Sequence, residues 1–116
     1  MLFIEYPKCS TCKKAKQFLD DNKIEYFERN IVSNNPSKLE LDKWIKLSGK
    51  DIHKFFNTSG IKYRELNLKE TLKELTYEEK LDILSSDGML VKRPLLILDN
   101  DVLIGFKESE WKKIKC

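Results

Sequence analysis

The sequence predicts an α/β fold in the order β-α-β, a helical insert, then β-β-α, and three features carry that reading. The chain opens on a strand–helix–strand pattern. Its middle, about residues 36–88, has helical periodicity and caps without strand signals. Its end holds two apolar runs joined by a short polar turn. At 116 residues the chain suits one domain with a single core and is too short for two, so one domain over 1–116 is expected.

Residues 2–6, LFIEY, are apolar, aromatic and β-branched and stop at Pro7, as a short buried strand does. From 10 to 22, Ala15, Phe18 and Leu19 recur at helical spacing among lysines, which predicts an amphipathic helix. Residues 24–32, IEYFERNIV, return to a mostly alternating pattern and read as the second strand. In the insert, Ser37 with Glu40 and Thr76 with Glu79 fit capping boxes, Asp51 fits an N-cap, and Gly49 and Gly88 fit helix stops; three or four short helices follow. PLLIL at 94–98, DND at 99–101 and VLIGF at 102–106 form a β-hairpin pattern. ESEWKKIKC, with Trp111 and Ile114 three apart, reads as a closing helix. No repeat, linker or low-complexity segment interrupts the chain.

Composition narrows the function classes. Charged residues make up 35% of the chain and the apolar runs are short, so no segment can span a bilayer and no membrane partner is expected. The N-terminal LFI is too short for a signal peptide and is followed by Glu5, which predicts a cytoplasmic protein. The net charge of +3, from 22 basic and 19 acidic side chains, describes a mixed surface, and direct nucleic-acid binding is not expected. Three cysteines do not describe a disulfide scaffold.

The chemistry centres on Cys9-Ser10-Thr11-Cys12, at the junction between the first strand and the helix. A cysteine attacks only as thiolate, and unpaired N–H groups at a helix N-terminus lower its pKa. Lys8, Lys13 and Lys14 add positive charge, with no carboxylate between Glu5 and Asp20. Residues three apart share a helix face, so Cys12 is placed to resolve a mixed disulfide on Cys9. Two other readings stand beside this one. A zinc site needs four ligands, and only His53 and the terminal Cys116 remain as soft ones, so no metal is expected. A purely structural pair, both thiols packed as small hydrophobes, is the bland alternative. His53 and Cys116 themselves read as surface groups. Pro94, opening an apolar strand, stands where no ladder N–H is needed.

Taken together, KCSTCKKA, KRPLLI and GFKESEW, in that order around a helical insert, resemble the ArsC/Spx family of thioredoxin-like proteins over essentially the whole chain. The segment FNTSG before KYRELN is similar to that of the ArsC-like proteins of the YusI and YffB type. The resemblance implies a thioredoxin-like fold and a thiol–disulfide oxidoreductase acting on low-molecular-weight or protein thiols. No bound cofactor is implied, only a reductant such as glutathione or thioredoxin as co-substrate, and a monomer is expected. It implies that Cys9 attacks and Cys12 resolves. It further implies a cis Pro94 lying against the cysteines, with Arg93 offering its backbone to the incoming thiol substrate. Arg93 and Lys107 would hold an anionic group, and Ser10, Thr11 and Asn57 would complete the substrate contacts.

Two other activities occur in the family. Its arsenate reductases surround the oxyanion with three arginines, a geometry that suits a doubly charged tetrahedral ligand. Here Arg93 occupies one of those positions and Asn57 and Lys107 the other two, so weak arsenate binding is expected. Spx-type regulators bind the C-terminal domain of the RNA polymerase α subunit through a basic segment. This chain has the uncharged Asn57-Thr58-Ser59-Gly60 there.

Overall fold

A computed structural model describes residues 1–115; Cys116 lies outside the described residues. Four short strands, β1 (Leu2–Glu5), β2 (Phe27–Asn30), β3 (Leu95–Ile97) and β4 (Val102–Ile104), form one mixed sheet in the order β2-β1-β3-β4. β1 pairs parallel with β2 and antiparallel with β3, and β3 with β4 antiparallel. The parallel pair is bridged by α1 (Ser10–Asp21), the crossover that parallel strands require. This is the expected α/β, thioredoxin-like arrangement.

Strand alternation divides the core. Phe3 and Leu96 face one side of the sheet, where they meet Ala15 and Leu19 of α1 and Trp111. Ile4 and Leu95, their chain neighbours, face the other side and pack under the insert against Leu41, Trp44, Phe55, Leu81 and Leu84. Each such side chain, fully buried, contributes about 1.5–3 kcal/mol. The sheet is therefore covered on both faces, as a sheet with a parallel pair must be.

The insert consists of helices and 3₁₀ turns joined by short loops, with one isolated bridge at Phe56. It runs through α2 (Lys38–Ser48), a 3₁₀ turn at Ile52–Phe55, α3 (Ile61–Glu65), α4 (Leu68–Thr71) and α5 (Tyr77–Ser86). Both capping boxes form: Ser37 Oγ accepts from the Glu40 N–H and Thr76 Oγ1 from the Glu79 N–H, and each glutamate reaches back. Asp51 caps the 3₁₀ turn by accepting from the His53 N–H, and Gly49 ends α2 with φ 68°.

Four expectations change. Gly88 does not stop α5, which ends at Ser86; an added Cβ there would lie 1.9 Å from the Ile31 carbonyl oxygen, so glycine is required by close approach. The second strand shrinks from 24–32 to Phe27–Asn30, an edge strand paired on one side only and preceded by Lys23 at φ 54°. In the hairpin, Leu98 joins the turn, its N–H donating to the Asp101 carbonyl at 2.9 Å. The closing helix is a single α turn, α6 (Glu108–Trp111), that tightens to 3₁₀ over Lys112–Lys115.

Candidate active site

Cys9 is the N-cap residue of α1, in extended conformation, and its N–H donates to the Tyr6 carbonyl at 2.9 Å. A tight turn through Pro7 and Lys8 thus delivers the thiol from the end of β1 to the helix start. Burial works against ionising Cys9, but the Cys12 N–H and thiol, the Arg93 guanidinium and the Thr11 N–H together outweigh it and hold the thiol below its ordinary value. No side-chain capping hydrogen bond is yet made by the neutral thiol. The N–H groups become its partners as charge develops. No acidic residue stands in the first turn to oppose this.

Cys12 behaves in the opposite way. It is fully buried, and burial pushes its thiol up to about 12, helped by Cys9 and the charge of Glu5 and only partly countered by the Tyr6 N–H, which donates to Sγ at 3.5 Å. Both cysteines are free thiols, one half-buried and one buried.

The cation beside Cys9 comes from the far end of the sequence. Lys8, Lys13 and Lys14 point into solvent, whereas Arg93 reaches the thiol. Its guanidinium lies 5.0 Å from the centre of the Tyr6 ring and approaches Met89 Sδ at 4.0 Å, contacts that hold its plane in place. The Arg93–Pro94 peptide is cis and Pro94 is buried, with its carbonyl accepting from the Gly105 N–H at 2.8 Å.

Asn57 arrives by long-range pairing. Phe56 bridges Val91, the Asn57 N–H donates to the Leu90 carbonyl at 2.8 Å and the Lys92 N–H to Phe55 at 2.7 Å, so the segment before Arg93 is tied to the segment holding Asn57. Ser59 Oγ donates to Asn57 Oδ1 at 3.3 Å. An added Cβ at Gly60 would meet the Asn57 amide at 2.8 Å, so glycine leaves that side chain its position.

These residues open into a cavity of about 500 Å³, with Cys9, Thr11, Asn57 and Arg93 on its wall and Lys62, Lys92, Glu65 and Asp87 around it. Lys62 and Asp87 face each other at 3.9 Å. Of the predicted site residues, the structure brings Cys9, Thr11, Asn57 and Arg93 to one cavity, with Cys12 beside Cys9 and Pro94 next to Arg93 in the chain. Ser10 is exposed at the helix start and does not line this cavity. Lys107 lies elsewhere, on a second cavity of about 730 Å³ lined with Lys50, Lys54, Phe56 and Thr58, and Lys92 borders both. Lys62, Lys92 and Asp87 escaped sequence reasoning because no local pattern gives them a role; the Phe56–Val91 bridge and the hydrogen bonds beside it join their segments, and β3 pairing with β1 carries that unit towards Cys9. His53 is exposed, 3.8 Å from the Asp51 carboxylate. Among the described residues no three His, Cys, Asp or Glu side chains converge as a metal site would need, and none of their helices is long and apolar enough to cross a membrane.

The ArsC family model matches residues 4–114. The chain is 50% identical to the uncharacterised protein YusI of Bacillus subtilis, covering 97% of this chain and 96% of YusI. It is 30% identical to the global transcriptional regulator Spx 2 of Bacillus anthracis over 90% of this chain and 79% of that protein. Its fold superposes on the crystal structure of an ArsC-family-related protein from Bacteroides fragilis with a TM-score of 0.95, at 52% identity, covering 97% of this chain and 95% of that one.

Proposed function

The chain belongs to the ArsC family, and from that membership we propose a thiol-dependent reductase in which Cys9 attacks and Cys12 resolves. The observation that carries the reading is the opposed state of the two thiols. Cys9 is half-buried on an open cavity, with its ionisation favoured by two backbone N–H groups and Arg93. Cys12 is enclosed, with its proton held to about 12.

In the proposed cycle the Cys9 thiolate attacks one sulfur of a substrate disulfide, the substrate S–S bond breaks, its other sulfur leaves as a thiolate, and a Cys9–substrate mixed disulfide is formed. Cys12 then attacks Cys9 Sγ, releases the substrate as a thiol and closes the Cys9–Cys12 disulfide. A low-molecular-weight thiol or a thioredoxin-type dithiol returns two electrons. Arg93 orients an anionic group of the substrate beside Cys9, with Lys62 and Lys92 nearby and Asn57 and Thr11 as neutral hydrogen-bonding partners. Stepped thiol buffers with trapping of free thiols test this. A reversible transition of one disulfide, at about −200 to −270 mV as for cytosolic redox proteins, supports exchange chemistry, and failure to form a Cys9–Cys12 disulfide at any poise sinks it.

A second reading, a redox-switched regulator of the Spx kind, draws support from the similarity to Spx 2 across most of the chain. It requires that this protein bind the C-terminal domain of the RNA polymerase α subunit differently in its oxidised and reduced forms. Absence of binding in both forms removes it. Arsenate reduction fits the site less well, because Arg93 is the one guanidinium on the wall of the Cys9 cavity and Asn57 there donates only a neutral amide. Turnover of arsenate at a rate comparable to disulfide reduction would overturn that assessment.

A further inference from the structure

Among the described residues Glu5 is the one charged side chain that is buried, only 6% exposed at the end of β1, and the thiol chemistry above leaves it without a role. Alternation along β1 sends Phe3 towards α1 and Ile4 towards the insert, so Glu5 shares the face of Phe3. Phe3 pairs with Glu28 in the parallel ladder, which places Glu28 on that face as well. From above, Lys16 Nζ meets both Glu28 oxygens at 3.1 Å. Cys12 and Lys16, one turn apart on α1, look down on the same face. The Tyr6 N–H, next in the chain after Glu5, reaches Cys12 Sγ at 3.5 Å. Cys12, Glu5, Glu28 and Lys16 therefore form one column between β1 and α1, enclosed at the thiol end and open to solvent at the Lys16–Glu28 end.

We propose that Glu5 is the proton acceptor for Cys12 in the resolving step. The proposal rests on the reductase reading given above. As the proton of Cys12 Sγ–H passes to the Glu5 carboxylate, the sulfur electron pair forms the bond to Cys9 Sγ. The bond between Cys9 and the substrate sulfur breaks, and the substrate leaves as a thiolate. The cysteine pair is oxidised by two electrons and the substrate disulfide is reduced by two. Glu28, at the rim, then passes the proton to water.

The surroundings of Glu5 suit an acceptor. Burial and then Glu28 hold its carboxyl above the ordinary carboxylate value, with Lys16 pulling the other way. A raised carboxyl lies closer to a buried thiol in proton affinity, which favours transfer near neutral pH. The remaining ionisable groups on this face are Tyr26, bonded through its hydroxyl to Asp20 at 2.8 Å, and Asp20 itself. β3 supplies the apolar Leu96 on this face, opposite Phe3 in the ladder.

The experiment loads Cys9 with an aromatic thiol as a mixed disulfide and follows release of the coloured thiolate as pH is varied, in wild type, Glu5→Gln and Lys16→Met. Wild type should release thiolate faster as pH rises through the Glu5 ionisation and then level off. Glu5→Gln should release it about a hundredfold more slowly near neutral pH, with the alkylation rate of Cys9 unchanged. Lys16→Met alters only a half-exposed side chain and removes the charge that favours ionised Glu5, so its rise should move to higher pH. Release from both variants at the wild-type rate, with the wild-type pH profile, would overturn the role of Glu5. No release from loaded wild type would instead remove the resolving role of Cys12 on which the proposal stands.

Discussion

Cys9 and Cys12 are the same residue type three positions apart, and their surroundings drive their ionisation in opposite directions. Partial burial disfavours the Cys9 thiolate, yet the Cys12 and Thr11 N–H groups and Arg93 overcome it. Full burial dominates at Cys12. Each unit of pKa changes the thiolate fraction about tenfold when pH lies below both values. Iodoacetamide at neutral pH should therefore label Cys9 faster than free cysteine and leave Cys12 unlabelled in the native state, as read by peptide mass spectrometry; equal labelling of both would contradict this environment. Removing the guanidinium by Arg93→Ala should raise the pH midpoint of Cys9 alkylation, whereas Arg93→Lys, keeping charge without the planar stack on Tyr6, should fall between. An unchanged midpoint in Arg93→Ala would leave the helix end alone responsible.

Elements make the site by bringing short segments together, and their caps are where sequence and structure agree best. The Ser37–Glu40 and Thr76–Glu79 boxes were legible because a cap is a local contact between residues three apart. Thr76→Ala should cost about 1 kcal/mol in urea unfolding. Less of the second strand was legible, since 24–32 alternates beyond the four residues that actually find a partner. Burial of Glu5 was hidden for a related reason, because a strand residue shows its face only once its neighbours are known. The placing of Asn57 beside Arg93 follows from the Phe56–Val91 bridge, a contact 35 residues apart that no local pattern announces, and the siting of Lys107 on another cavity is equally non-local. β2 is tied to α2 by Arg29, whose guanidinium grips Glu40 at 2.7 and 2.9 Å. The Arg29 fork first, and then the Ser37 N–H against some loss from burial, holds Glu40 at about 2, below its ordinary 4.5. A depressed carboxyl stabilises the fold above its unfolded value and loses that contribution as pH falls through 4.5 towards about 2. Glu40→Gln, which retains a capping acceptor, should be less stable than wild type at neutral pH and lose less stability across that acid window. Parallel urea midpoints at each pH check it, and identical acid slopes would contradict it.

The whole molecule draws the walls of the Cys9 cavity from elements on the two sides of one thin sheet. α1 lies on the face of Phe3, Leu96 and Trp111, whereas Asn57 and Lys62 belong to the insert, over Ile4 and Leu95. Were the two faces to open separately, the insert could lift Asn57 away from Cys9 with the rest of the fold intact. The strands argue against this. Phe3 and Ile4 are adjacent in β1, Leu95 and Leu96 adjacent in β3, and all four are fully buried, so each central strand is anchored in both cores at once. Gly88 adds a second tie, seating the end of the insert against the backbone of Ile31 just beyond β2. Unfolding either face exposes a strand that the other face needs, which predicts one cooperative transition. The two tryptophans are natural probes of this, because Trp44 lies in the insert core and Trp111 in the other, stacked edge-on against Phe3, Phe18 and Phe106. In Trp111→Phe the fluorescence of Trp44 should follow the same urea transition as the far-ultraviolet circular dichroism of that variant. In Trp44→Phe, Trp111 should do likewise. Coincident curves within each variant mean that the Cys9 cavity keeps its insert wall as long as the protein is folded. A Trp44 signal that is lost ahead of the dichroism would mean that the insert opens on its own, and that the cavity beside Cys9 is assembled in only part of the native population.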